Sequence, residues 1–264
     1  MSEVPLVEVQ ALSKTFDKRG VRVEALADVS LAIRPSEFVA VLGPSGCGKS
    51  TLLNVLAGFE AASGGRALFR GKPIGDPSPE RAVVFQEPAL FPWLSVIDNV
   101  IFGPKIQGKP ASDYLPRAEK ILAQVGLDKF SRQYPSELSG GMRQRVGIAR
   151  VLVMDPQVLL MDEPFGALDA QTRALMQELL LDVWEKYRQT VLFITHDVEE
   201  ALLLADTVHV MTARPGRIKK TIAVDLPRPR PPDVTTSPVF NRLKREILDL
   251  IREEAIRAAA ELQG

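Results

Sequence analysis

The hydrophobic positions along the chain change their spacing repeatedly, and each change predicts a new element of secondary structure. Short apolar or alternating runs predict strands, whereas apolar positions three and four residues apart predict helices. The predicted strands span residues 6–12, 25–33, 38–42, 66–70, 82–85, 158–161, 190–195, 207–211 and 222–224. The predicted helices span residues 51–57 and 170–187, a stretch from 95 to 123 that Pro104 and Pro110 interrupt, and a segment from Pro238 onward. Strands therefore alternate with helices, which is typical of an α/β fold.

The residues between the strand at 38–42 and the helix at 51–57 form a glycine-rich turn. They match the pattern G-x-x-x-x-G-K-[ST], whose backbone N–H groups surround an anion at a helix N-terminus. Lys49 adds a positive charge for the β- and γ-phosphates, and the Ser50 hydroxyl is a ligand for Mg²⁺. Cys47 occupies a free position of the pattern, so we interpret it as incidental rather than nucleophilic. The sequence thus predicts a nucleotide-binding loop formed by Gly43, Pro44, Ser45, Gly46, Cys47, Gly48, Lys49, Ser50 and Thr51.

Further candidate catalytic residues follow two later strands. Asp162 and Glu163 come directly after the apolar run at 158–161. Asp162 is predicted to hold the Mg²⁺ that bridges the β- and γ-phosphates, and Glu163 to orient and deprotonate an attacking water. His196 follows the strand at 190–195, and since parallel strands end at the same edge of a sheet, we expect it to contact the γ-phosphate. His209 lies within a predicted strand and is interpreted as structural.

Three other features each allow a structural and a functional interpretation. Phe16 fits a half-buried strand residue or a ring that stacks on a nucleotide base. The segment Gln86–Trp93 contains two aromatic residues between prolines, which is typical of a loop fixed to its own core or of an apolar surface that docks another protein. Ser139, Gly140 and Gly141 precede a helical pattern, which indicates an ordinary capped helix start or a second anion site.

The composition narrows the possible partners. Lysine plus arginine and aspartate plus glutamate number 33 each, so no net charge attracts nucleic acid, and a nucleic-acid partner is not expected. A single cysteine excludes an internal disulfide, and with no signal segment recognised at the start we expect a reducing, cytoplasmic environment. No apolar run reaches about 18 residues, so we expect no membrane-spanning helix.

The composition changes beyond residue 225. The proline-rich residues 227–232 predict a stiff, extended linker. Ser237 caps a predicted helix whose apolar positions fall on one face, at residues 240, 243, 247, 250 and 251. We expect that face to fold back onto the core, with a partner contact as the alternative.

Taken in order, these motifs resemble the ATP-binding subunits of ABC transporters over residues 4 to 225. The resemblance identifies Phe16 with the adenine-stacking aromatic loop, Gly43–Thr51 with Walker A and Gln86 with the Q-loop. It identifies Leu138–Met142 with the signature, Asp162 and Glu163 with Walker B and its catalytic base, Asp169 with the D-loop, and His196 with the switch histidine. Met142 stands where glutamine is usual, and Phe16 where tyrosine is frequent.

The family resemblance also implies an architecture. It implies a P-loop NTPase (RecA-like) core with an N-terminal antiparallel β subdomain and an inserted α-helical subdomain at about residues 87–154. The ATPase domain would span residues 1–225, followed by the linker and C-terminal helix at 226–264.

The resemblance further implies an ATP hydrolase that uses Mg²⁺. Its catalytic residues would be Gln86, Glu163 and His196, and its metal-binding residues would be Ser50, Gln86 and Asp162. Ser139, Gly140, Gly141 and Asp169 would complete the nucleotide site of a second ATPase subunit in a head-to-tail dimer. Two transmembrane permease subunits would contact the segment Gln86–Trp93 at the cytoplasmic face of the inner membrane, with an external solute-binding protein upstream.

The amino-acid sequences around Gln86, around the signature and at Met211–Arg217 are most similar to those of the nitrate/sulfonate/taurine importers. This predicts uptake of a small anion of that kind. Two alternatives remain at this point: an ABC ATPase without a transport role, and a non-catalytic ATP-dependent switch or interaction module.

Overall fold

The structure is a computed structural model that describes residues 4–18 and 20–261. The predicted domain limits at residues 1 and 264 lie outside these residues. The strands are β1 (Val7–Lys18), β2 (Val21–Ile33), β3 (Phe38–Leu42), β4 (Gly64–Phe69), β5 (Lys72–Pro73), β6 (Arg81–Val84), β7 (Val158–Asp162), β8 (Thr190–Thr195), β9 (Thr207–Met211) and β10 (Ile218–Ala223). The helices are α1 (Lys49–Ala57), α2 (Val96–Ile106), α3 (Ala111–Gln124), α4 (Gly140–Leu152), α5 (Ala170–Tyr187), α6 (Val198–Leu204) and α7 (Pro238–Glu261).

The chain divides into two compact units. The first unit consists of the residues up to Ser78 and those from Arg188 onward, and the second consists of Pro79–Tyr187. The first unit includes an antiparallel sheet with the strand order β2-β1-β4-β5, which confirms the predicted antiparallel β subdomain. Phe16 lies inside β1, opposite Val23 of β2, rather than between two strands.

A second set of strands in the first unit positions the candidate chemistry. β3 lies between β8 and β9 and runs parallel to both, while β10 pairs antiparallel with β9. Every residue of β3 and β8 is buried, which explains why their sequences are nearly continuous apolar runs. Leu42 pairs with both Thr195 and Val210, so the segments that follow these three strands leave from the same edge.

The C-terminal helix α7 packs onto the first unit, as predicted from its apolar face. Phe240 and Ile247 are fully buried, and Leu243 is nearly so. The Ser237 hydroxyl accepts a hydrogen bond from the Phe240 N–H at 3.3 Å, which confirms the predicted cap. The fold-back interpretation of α7 is therefore correct.

The proline-rich segment before α7 is anchored, and its interpretation as a linker is wrong. Arg230 is 5% exposed and donates to the carbonyl oxygens of Leu202, Leu203 and Ala205 at 3.1, 3.2 and 2.7 Å. These carbonyls end α6, where a cation satisfies acceptors that the helix leaves unpaired. Burial lowers the pKa of the Arg230 guanidinium to about 10. The segment thus holds the end of α6 in place.

The second unit combines one parallel strand pair with four helices. β6 and β7 run parallel, with Val84 opposite Met161. The predicted interruption at Pro104 is wrong, because α2 continues through this residue, whereas Pro110 does precede a new helix, α3. Pro104 is tolerated because α2 ends two residues later, so its missing N–H affects only the final turn. Helices α2 to α4 lie inside the predicted helical segment, while the compact unit is wider and includes β6, β7 and α5.

Candidate functional site

The glycine-rich turn after β3 is tightly packed where it leads into the N-terminus of α1. Gly48 caps α1 with φ 105°, a backbone conformation that side-chain-bearing residues rarely adopt. A β-carbon at this position would also lie 2.7 Å from the Ala25 carbonyl oxygen, so the loop fits closely against β2. Lys49 is 5% exposed, and its ammonium donates to the carbonyls of Gly43 and Pro44 at 2.9 and 3.1 Å. The loop and its cation are therefore preassembled at the N-terminus of α1.

Cys47 contributes its backbone to the loop while its thiol points into the protein. The side chain is 1% exposed, and its sulfur lies 2.8 Å from where a β-carbon of Gly43 would be. Burial raises the pKa of the Cys47 thiol, against the opposing field of Lys49. A buried thiol with a raised pKa is a poor nucleophile, which agrees with the interpretation of Cys47 as incidental.

His196 leaves the sheet beside the phosphate loop. Because Thr195 pairs with Leu42, the residues that follow them, His196 and Gly43, start at neighbouring strand ends. The His196 side chain is exposed. Its backbone is fixed on both sides: the Thr195 hydroxyl accepts from the Asp197 N–H at 3.0 Å, and Asp197 caps α6. The first unit thus brings the phosphate loop and His196 to one edge.

Phe16 is half-buried in β1, with a cation over one face of its ring. The Lys14 ammonium lies 4.8 Å from the ring centroid and also pairs with Glu60 at 2.7 Å. The structural interpretation of Phe16 as a half-buried strand residue is therefore correct. Its stacking on a nucleotide base stays a prediction.

In the second unit, the ends of β6 and β7 bring a glutamine and two acidic residues together. The register of these strands makes the segments that contain Gln86 and Asp162–Glu163 leave side by side. A β-carbon at Gly166 would lie 3.1 Å from the Gln86 side-chain nitrogen and 3.7 Å from Glu163 Oε2. Glu163 has φ 43°, an uncommon value for a residue with a side chain. The two candidate catalytic side chains of this unit therefore converge on one point.

The signature residues form the N-terminus of α4. The Ser139 hydroxyl accepts from the Met142 N–H at 3.3 Å, so Ser139 is a helix cap, and this structural interpretation holds. Gly141 is packed so closely that a β-carbon would lie 2.6 Å from the methyl group of Thr172. Asp169 accepts from the N–H groups of Gln171 and Thr172 at 3.1 and 3.0 Å. These hydrogen bonds, above all the one from Thr172, lower the pKa of Asp169.

Side chains of α4 hold the segment Gln86–Trp93, an arrangement that the sequence pattern did not reveal. Arg150 donates to the carbonyls of Pro88 and Ala89 at 2.7 and 2.9 Å, and the buried Gln144 donates to the Phe85 carbonyl at 3.4 Å. Gln86 and Gly140 line the same cavity, of about 400 Å³. Helix α4 is thus hydrogen-bonded directly to the segment Gln86–Trp93 and to the residue before it.

The end of that segment is organised by Asn99. Asn99 is fully buried, accepts from the Phe91 N–H at 2.8 Å and donates to the carbonyls of Phe91, Leu94 and Ser95 at 3.1, 3.0 and 3.0 Å. The Phe91 ring lies 4.3 Å from that of Phe102, centroid to centroid. Trp93 projects from this base and is 70% exposed. The segment is therefore both fixed to its own core and a carrier of an exposed aromatic side chain.

Comparison with known proteins gives consistent results. The family model described as ABC transporter matches residues 26–166. The chain is 46% identical to an uncharacterized ABC transporter ATP-binding protein of Methanocaldococcus jannaschii, over 96% of this chain and 93% of that protein. It is 47% identical to taurine import ATP-binding proteins of Pseudomonas aeruginosa, over 91% of this chain and 93% of that protein, and of Rhizobium johnstonii, over 97% and 100%.

Solved structures of the same kind share the fold. A bacterial ABC transporter cassette solved as a dimer matches with a TM-score of 0.73 and 29% identity, over 83% of this chain and 99% of that one. A Clostridium perfringens subunit of an ABC transporter complex matches with a TM-score of 0.76 and 29% identity, over 97% and 100%. Within the described part of the chain, no helix is both long and apolar enough to cross a membrane. The phosphate loop, the signature helix and these likenesses together establish that the chain belongs to the ABC transporter family of ATP-binding proteins.

Proposed function

We propose that this ABC ATPase powers the import of taurine or a related small sulfonate. The observation that carries the proposal is the bonding of the segment Gln86–Trp93 to α4, because it joins a nucleotide-sensing region to an exposed aromatic docking residue. The identity with taurine import ATP-binding proteins, which extends over nearly the whole chain, supports the choice of solute.

Hydrolysis is assigned to Gln86, Glu163 and His196. Glu163 acts as the general base toward the attacking water, and Gln86, whose side chain approaches the same point, orients that water. His196 contacts the γ-phosphate from the end of β8, beside the phosphate loop. The convergence of Gln86 and Glu163 near Gly166 supports their shared role.

Ser50, Gln86 and Asp162 would hold Mg²⁺, and the bound ion would neutralise charge on the β- and γ-phosphates. The donor set fits: one hydroxyl, one amide and one carboxylate suit a metal that arrives with the nucleotide and keeps part of its water shell. Ser50 is exposed in the first turn of α1, as such a contact requires.

A second ATPase subunit would complete each nucleotide site. Ser139, Gly140 and Gly141 would donate backbone N–H groups to a nucleotide held by the other subunit, with Asp169 close to the shared interface. Gly140 lies at an exposed helix N-terminus, and a β-carbon there would have no side-chain atom nearer than 4.0 Å, which supports this role. Related cassettes have been solved as dimers, one of them with ADP and phosphate after hydrolysis.

Transport requires contact with two permease subunits at the cytoplasmic face of the inner membrane. The segment Gln86–Trp93 supplies this contact, with Trp93 as the exposed anchor and Phe91 as its support. A solute-binding protein outside the membrane would deliver the substrate without touching this subunit.

The test is uptake in the host organism after deletion of the gene for this chain. We expect loss of radiolabelled taurine uptake, restored by the wild-type gene but not by Glu163→Gln. Retained taurine uptake with lost nitrate uptake would contradict the solute class. Unchanged uptake of taurine, other alkanesulfonates and nitrate would contradict the transport role altogether.

A further inference from the structure

The loop between β9 and β10, residues Thr212–Arg217, contacts the phosphate loop from outside the known motifs. Two nitrogens of the Arg214 guanidinium, Nε and Nη2, donate to the Gly46 carbonyl oxygen at 3.2 and 3.1 Å. Gly46 has φ 75° and belongs to the stretch whose N–H groups face the phosphates. A fork of two donors on one carbonyl fixes the direction of the adjoining peptide group.

The same loop supports the phosphate loop at a second point. A β-carbon at Gly216 would lie 2.1 Å from the Cys47 carbonyl oxygen, so only glycine allows this approach. The Gly216 N–H donates to the Ala25 carbonyl at 3.0 Å, and its own carbonyl accepts from the Ala27 N–H at 3.0 Å. The loop 212–217 is therefore attached to β2 and in direct contact with the backbone of the phosphate loop.

The other side of this loop is attached to α7 through a buried carboxylate. Glu254 is 3% exposed, and its Oε2 accepts from the Ala213 N–H at 3.0 Å. Its Oε1 accepts from the Lys219 ammonium at 2.8 Å. Although burial favours the neutral acid, the hydrogen bonds from Lys219 and Ala213 outweigh it and lower the pKa of Glu254. A continuous path of contacts thus leads from α7 through Ala213 and Arg214 to Gly46.

We propose that Arg214 is a positioning residue for the phosphate loop, and that Glu254 of α7 fixes the position of Arg214. Arg214 acts through the Gly46 carbonyl, not on the nucleotide. It therefore affects the arrangement of the N–H groups that bind phosphate, and these groups bind the ground state and the transition state equally. Weakening such binding raises KM and leaves kcat unchanged. The inference rests on nucleotide binding by this loop and is independent of which solute is carried.

The test is direct binding of MgATP to the full chain, with steady-state ATPase kinetics alongside. Arg214→Ala should weaken MgATP binding and raise KM by about 3- to 10-fold, the amount expected for one net hydrogen-bond contribution, while kcat stays within about 2-fold. Arg214→Lys, which retains one charged donor, should recover part of the affinity. Arg217→Ala is the matched control, since it removes the same charge from the same loop without a side-chain contact to Gly46.

The link to α7 is tested by a double-mutant cycle. Glu254→Ala should weaken binding, and combining it with Arg214→Ala should add little, because both break one path. Glu253→Ala is the control, since Glu253 also pairs with Lys219 but does not contact Ala213. Thermal melting verifies that each variant is folded.

Three results would each overturn a part of the proposal. Unchanged MgATP affinity in Arg214→Ala, or an equal loss in Arg217→Ala, would refute positioning by Arg214. Additive effects of Arg214→Ala and Glu254→Ala would refute the link. Neither outcome depends on transport, so a failed taurine assay with normal MgATP binding would count against the proposed solute only.

Discussion

Replacing Asn99 should show how much one buried amide stabilises the docking segment. The fully buried Asn99 amide contacts the backbone between Phe91 and Ser95 at four points: its two N–H groups serve three carbonyls, and its oxygen accepts one N–H. At about 0.5–1.5 kcal/mol net for each of these three hydrogen-bonding groups, Asn99→Ala loses about 3 kcal/mol. The better helix propensity of alanine returns up to ~0.7 kcal/mol. We therefore expect the free energy of unfolding to fall by about 2 kcal/mol.

Asn99→Asp provides a sharper comparison because it keeps the shape of the side chain and replaces the amide donor with a charged carboxylate oxygen. The aspartate can still accept from the Phe91 N–H, but its second oxygen would face carbonyls that now accept from the Asn99 amide. We expect this variant to be less stable than Asn99→Ala at pH 7. Repulsion raises the folded-state pKa of the new carboxyl above its unfolded value of ~3.9, so the stability of this variant should recover as the pH falls through the folded-state pKa toward ~3.9.

The assay is urea unfolding followed by the fluorescence of Trp184, which is buried in the same unit. Gln107→Ala is the control: this exposed residue follows α2, and a change within about 0.5 kcal/mol is expected. A loss below about 1 kcal/mol in Asn99→Ala, or an Asn99→Asp variant that is more stable than Asn99→Ala at pH 7, would refute the hydrogen-bond reasoning.

Four further predictions concern single residues. Glu163→Gln should reduce ATP hydrolysis by about 10²–10⁴-fold while MgATP binding is retained; unchanged turnover would contradict the general-base role. Trp93→Ala should weaken co-purification with the permease without changing MgATP affinity, whereas Ile106→Ala, equally exposed on α2, should do neither. Iodoacetamide should label Cys47 slowly in native protein and rapidly in urea, because burial hides the thiol and raises its pKa; fast native labelling would contradict this. Burial lowers the pKa of His209 to about 4, so the unfolded chain binds a proton near pH 6.5 that the native state binds only near pH 4. Stability should fall by up to about 3 kcal/mol from pH 6.5 to 4, and His209→Gln should flatten this slope.

The sequence alone determined the elements whose signals are local. The helix at Ala170–Tyr187 and the strands at Thr190–Thr195 and Thr207–Met211 have the predicted bounds, because their periodicity and flanking turns are strong. The phosphate loop was also predictable, since its glycines, lysine and serine are consecutive in the chain. The family resemblance assigned Gln86 and Glu163 to one catalytic set, and the parallel register of β6 and β7 brings the segments that contain them side by side.

Tertiary structure alone decided the attachments between distant segments. Arg230 lies in a proline-rich stretch that is typical of a linker, yet it pairs with the end of α6 about 25 residues earlier in the chain. Asn99 and Arg214 similarly bind backbone carbonyls across loops. Such contacts follow no sequence period. The sequence around an arginine or asparagine is the same whether its side chain is solvated or hydrogen-bonded to a distant carbonyl. Their partners are backbone carbonyls, which every residue has, so only the folded chain determines which of them these side chains reach.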